Sequence, residues 1–115
     1  MKTIDFKLPK LVRNKIPDII RADGKECDIE ILSDEDYIKA LDAKLDEELA
    51  EYHESHSLEE LADLFTVICF TVTARGHSLG EFLETIIKKN IERGEFNDRI
   101  LLKRIYDVSD EKGEN

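Results

Sequence analysis

From Ser33 onward apolar residues recur at steps of three and four. Ile38, Leu41, Leu45, Leu49 and Tyr52 fall on one stripe, the period of a helix with a single buried face. Ser33 stands where an N-cap belongs, and the stripe gives out between His53 and Ser55. Ser57, followed three residues on by Glu60, has the spacing of a capping box and opens a second helix. Its body, LADLFTVICFTVTA, is apolar nearly all the way round, as expected of a helix in the middle of a bundle. Arg75-Gly76-His77 stops it. Ser78 with Glu81 starts a third helix, in which Leu79, Phe82, Leu83, Ile86, Ile87 and Ile91 mark one face until Gly94. FNDRILLKRIYDV fits either a further helix or an extended tail, and SDEKGEN is polar enough for a flexible end over 109–115.

The first 32 residues are less regular. Alternation at Ile4, Phe6, Leu8 and again at Cys27, Ile29, Ile31 predicts short extended pieces around a turn at Asp23-Gly24, with IPDII opening a short helix at Pro17. No repeat, low-complexity tract or linker divides the chain. The pattern predicts one all-α domain over 1–115: a helical bundle built on an antiparallel hairpin plus a third long helix, with a short irregular N-terminal arm over 1–32.

Charge narrows the function classes. Seventeen Lys and Arg against 27 Asp and Glu give a formal charge of −10, which disfavours nucleic acid or an anionic membrane as a partner. An anionic substrate would need a cation as intermediary. No apolar run reaches the ~18 to 20 residues of a membrane span, and MKTIDFKLPK lacks the apolar stretch of a signal peptide, so a cytoplasmic protein is expected. Cys27 and Cys69 form no CxxC unit and are expected to be separate thiols.

The stretch EELAEYHESHSLEELADLF, residues 47–65, holds seven acids and no Lys or Arg. Glu48 and Glu51 lie three apart on one helix, Glu60 and Asp63 three apart on the next, so each pair shares a side of its helix about 4.5 Å apart in height. A very short turn makes the two helices antiparallel neighbours. Glu48 is then level with Asp63, and Glu51 with Glu60, each pair equidistant from the midpoint between Ser55 and His56. Wheel angles put Glu48 at the border of the apolar stripe and Glu51 just outside it, flanking the core. Glu60 and Asp63 share a side with Val67 and Phe70, largely opposite the stripe of Leu61, Leu64, Phe65, Ile68 and Val72.

Taken singly, Glu60 is a cap partner and Asp63 an acid near a helix N-terminus. The matched register favours a ligand set instead, because four converging carboxylates repel unless they hold protons or a hard cation. Mg²⁺ suits them, keeping water for a phosphate-bearing substrate, with Mn²⁺ as a substitute. On the third helix Lys89 and Arg93, four apart with Asn90 between, are candidates for an anionic tail. Near a helix C-terminus they are also ordinary cations. His53, His56 and His77 sit at turns and are expected to face water.

EELAE followed by ELAD resembles the EExxE…ExxD signature of the MazG-like, all-α nucleoside triphosphate pyrophosphohydrolases, a superfamily that includes phosphoribosyl-ATP pyrophosphohydrolase and the helical dUTPases. KLVRNKIPDII and KNIERGEFNDRILL are similar to a small bacterial and archaeal subgroup of it. The resemblance implies Mg²⁺-dependent cleavage between the α and β phosphates to a nucleoside monophosphate and pyrophosphate, with house-cleaning of non-standard nucleotides as a candidate role. By position it implies that Glu48, Glu51, Glu60 and Asp63 hold metal, and that Glu47 orients or deprotonates the attacking water or binds a further ion. It also implies that Lys89, Asn90 and Arg93 contact phosphate, and that the chain forms a homodimer or homotetramer. The subgroup commonly has RGGF where this chain has Arg93-Gly94-Glu95-Phe96, and KLVRDKIP where it has Asn14. Hydrolysis of phosphoribosyl-ATP is an alternative with the same metal motif; a helical oligomerisation module without chemistry is another.

Overall fold

The structure is a computed structural model and describes residues 8–111, so Ile4, Phe6 and the last four residues lie outside the described part. Every regular element described is helical: α1 (Ile16–Ala22), α2 (Asp34–Ser55), α3 (Leu58–Ala74), α4 (Leu79–Arg93) and a single turn, α5 (Val108–Glu111). The chain forms two compact units, Met1–Phe82 and Leu83–Asn115, with the boundary inside α4.

In the first unit Pro17 sits in the opening turn of α1, where its missing N–H costs nothing. Gly24, at φ +81, turns the chain out of that helix. The stretch around Cys27, Ile29 and Ile31 forms no ladder; Ile29 and Ile31 are exposed. α2 starts as its cap predicts: Ser33 Oγ accepts from the Asp36 N–H at 3.2 Å, and Asp34, Glu35 and Asp36 face the positive end of the helix. The connection to α3 is only His56 and Ser57. His56 adopts a left-handed conformation (φ 55) while its N–H donates to the Tyr52 carbonyl at 2.7 Å. α2 and α3 therefore double back and pack along their length.

The buried centre of this pair is small, comprising Leu41, Val67 and Glu48. Wheel angles predicted that α3 would bury Leu61 and Phe65 and leave Val67 on the opposite wall. Instead Val67 faces inward, while Leu61 and Phe65 are 42% and 51% exposed. A helix apolar on all sides carries no periodic sign of which face meets its neighbour, so the turn decides. Within the same unit Phe65 stacks against Phe82, the ring centroids 6.5 Å apart.

The second unit carries the rest of α4, which Gly94 (φ +83) ends, and an irregular segment rather than a further helix over 96–107. Its described side chains are exposed throughout, Phe96 at 98% and Ile100 at 84%.

Candidate metal centre

The two-residue turn delivers the acids to one place. Glu47, Glu48 and Glu51 each offer a carboxylate oxygen within 4.8 Å of the others, and Glu48, Glu60 and Asp63 do the same. The five carboxylates thus form two triads that share Glu48. The level pairing of Glu48 with Asp63 is realised. Glu51 groups with Glu47 rather than closing one set of four.

Glu48 corrects the sequence expectation most clearly. It does not flank the core but sits in it, 6% exposed, between the helices. Its Oε1 lies 3.4 Å from Lys44 Nζ, while Oε2 is buried with no hydrogen-bond partner among the described residues. Burial raises its pKa to about 7, and the neighbouring Glu51 carboxyl, able to hydrogen-bond to it only through a shared proton, adds to that rise against the pull of Lys44. Glu60 is also raised, first by partial desolvation and then by Glu51 and Asp63. A buried acceptor without a donor, ringed by further carboxylates, has the donor chemistry of a hard-cation site.

The capping of α3 leaves Glu60 available. At the start of α4 the box is reciprocal: the Glu81 N–H donates to Ser78 Oγ at 3.0 Å, and the Ser78 N–H donates to Glu81 Oε1 at 2.9 Å. At the start of α3 only half of it forms. The Glu60 N–H donates to Ser57 Oγ, but the Ser57 N–H is taken by Ser55 Oγ at 3.2 Å. The Glu60 carboxylate is released from capping and turns to the cluster.

Three cations missing from the sequence-predicted site grip its rim. Lys44 Nζ, 14% exposed, donates to Glu47 Oε2 at 2.8 Å. Lys10 Nζ approaches the same oxygen at 3.4 Å, and Arg13 Nη2 donates to Asp63 Oδ1 at 2.8 Å. Partial burial, the largest single influence on Glu47, pushes its pKa up; Lys44 and Lys10 together outweigh it, and the net shift is downward. Lys44 was legible as the i−3 and i−4 neighbour of two acids on one helix. Lys10 and Arg13 come from the N-terminal arm, where no periodicity points to the hairpin.

Beside the acids opens a cleft of about 450 Å³. Its lining combines Glu48 and Asp63 with Tyr37, Leu41, Val67 and Phe70 from the hairpin, and Arg13 and Asn14 from the arm. Lys89, Asn90 and Arg93 lie in the second unit and are exposed. The three histidines are exposed as expected, and Cys27 and Cys69 are separate thiols. None of the described helices is long and apolar enough to cross a membrane.

No protein-family model and no solved structure matches the chain. A stretch of 44 residues is 57% identical to an uncharacterised protein of Mycolicibacterium smegmatis. That stretch is 38% of this chain and 45% of the relative, so the similarity spans less than half of either.

Proposed function

We propose that the chain is a magnesium-dependent nucleoside triphosphate pyrophosphohydrolase, cleaving between the α and β phosphates to yield a nucleoside monophosphate and pyrophosphate. The observation that carries this reading is Glu48, a buried carboxylate shared by two acid triads with one oxygen left without a donor. Glu48, Glu51, Glu60 and Asp63 are the residues that would hold the ion. Mg²⁺ fits an all-oxygen set that must leave room for water and phosphate, and Mn²⁺ is the natural substitute. When bound, the metal would neutralise the polyphosphate and lower the pKa of a water for in-line attack.

The chain's own residues divide the remaining work. Glu47, held ionised by Lys44 and Lys10, is too weak a base to favour proton removal and is suited to orienting the water. Tyr37, Leu41, Val67 and Phe70 offer a base or sugar an apolar surface, and the cleft has the size of an ordinary small-molecule site. Lys89, Asn90 and Arg93 are assigned to the phosphate tail. The bare faces of α3 and of 83–109 support a homodimer or homotetramer in which the third helix completes the bundle. A cytoplasmic setting suits a nucleotide substrate.

Pyrophosphate release from a panel of ordinary, oxidised and deaminated nucleoside triphosphates, with and without Mg²⁺, tests the reading. Release from phosphoribosyl-ATP alone would shift it to that substrate within the same chemistry. The exposed apolar residues also favour a helical oligomerisation module without catalysis. That reading predicts no change in Tm with Mg²⁺, whereas an ion bound only by the folded state must raise it.

A further inference from the structure

Arg13 stands at the meeting point of three features that the proposed reaction has to bring together. Its Nη2 donates to Asp63 Oδ1 at 2.8 Å, it borders the cleft beside Asn14, and its side chain remains 62% exposed. Asp63 belongs to the triad with Glu48 and Glu60, whose convergence would be needed to hold a divalent ion. A guanidinium on that carboxylate competes with the ion for its negative charge. The pair is also easily separated, since both partners are substantially exposed and such ion pairs contribute little.

The backbone at Arg13 is tied to α1, while its side chain is held by an exposed ion pair. The Ile16 N–H donates to the Arg13 carbonyl at 3.0 Å, tying the residue to the start of α1, and Leu11 alongside is half-buried. A guanidinium released from Asp63 therefore stays at the mouth of the cleft. Its planar fork matches the paired oxygens of a phosphate better than an ammonium does.

We propose that Arg13 is a substrate-binding residue that exchanges partners: a divalent ion takes Asp63 from it, and the freed guanidinium binds the phosphate chain of the nucleotide. Arg13 thereby links metal uptake to substrate binding, so that the cleft presents its arginine to phosphate only when the ion is in place. This rests on reading the cluster as a metal site serving a nucleoside triphosphate.

The exchange predicts opposite signs for two affinities. Calorimetric titration of Arg13→Ala with MgCl₂ alone should show binding about two- to fivefold tighter than in the parent, because the competitor on Asp63 is gone. Titration with an α,β-methylene nucleoside triphosphate in saturating Mg²⁺ should show affinity about tenfold or more weaker. Arg13→Lys, which keeps the charge but not the fork, should fall between the two on both measures. A fold-supporting anchor would weaken both affinities together and lower Tm, and that result overturns the proposal; so does unchanged analogue affinity in Arg13→Ala. If the parent itself takes up no Mg²⁺, the metal reading fails first and the exchange with it, a result distinguishable because it needs no variant.

Discussion

The acids of the hairpin and the cations of α4 share one sequence pattern, residues three or four apart on a helix, yet they end in different surroundings. Glu47, Glu48, Glu51, Glu60 and Asp63 converge, and Glu47, Glu48 and Asp63 among them pair with Lys10, Lys44 or Arg13. Lys89 and Arg93 are exposed and have no ion-pair partner among the described residues. The difference is the connection. Two residues between α2 and α3 leave almost no freedom in height or direction, so spacing along the chain becomes spacing in space. Intrahelical spacing on α4 fixes only that Lys89 and Arg93 share a side, and says nothing about what that side meets.

Loss of the Glu48 carboxylate should have the greatest consequence. Glu48→Gln should keep the fold and lose on the order of a thousandfold in Mg²⁺-dependent turnover, about 4 kcal/mol of transition-state stabilisation, measured as pyrophosphate release. Asp63→Asn should behave alike. Turnover at the parent rate in either variant would remove that residue from the site.

Stability against pH gives the next largest effect. The carboxyl of Glu48 has a pKa near 7 in the folded protein, above its ordinary value of 4.5, so the native state binds the proton more tightly than the unfolded chain. The penalty is absent below the unfolded value and complete above the folded one, so metal-free protein should lose stability as pH rises from 5 to 8. Glu48→Gln removes the penalty and should raise Tm at pH 8 by about 5 °C, with little gain at pH 5. Addition of Mg²⁺ at pH 8 should raise Tm in the parent but not in the variant.

On α4, Lys89→Ala and Arg93→Ala should each raise KM about tenfold with kcat nearly unchanged, as removal of uniform binding does. Tm should not move, because neither side chain is buried. A KM equal to the parent's would make the pair solvated cations and leave phosphate recognition to the arm. The smallest effect lies in the turn itself: His56→Gly relieves a left-handed non-glycine residue and should stabilise the hairpin by up to about 1 kcal/mol, read in chemical denaturation.

Most helix boundaries were legible because serines announce them: Ser33, Ser57 and Ser78 each accept the N–H three residues on. The height match of Glu48 and Asp63 followed from the same boundaries. Which face of α3 turns inward was not legible, since its apolar residues surround the axis and Val67 has no more claim than Phe65. Nor was the burial of Glu48, because a wheel angle at the edge of a stripe gains or loses its cover from the neighbouring helix. The pairing of Arg13 and Lys10 with the acids was hidden for a different reason. They lie 50 and 37 residues from the acids they contact, beyond any local pattern.

The cations gripping the rim have a consequence for stoichiometry. Five carboxylates gather beside Lys10, Lys44 and Arg13, which pair with three of them, so with every group ionised these eight groups carry two net negative charges, the charge one alkaline-earth ion offsets. A second ion would meet a site with little negative charge left, and the nucleotide's own oxygens would supply the remainder.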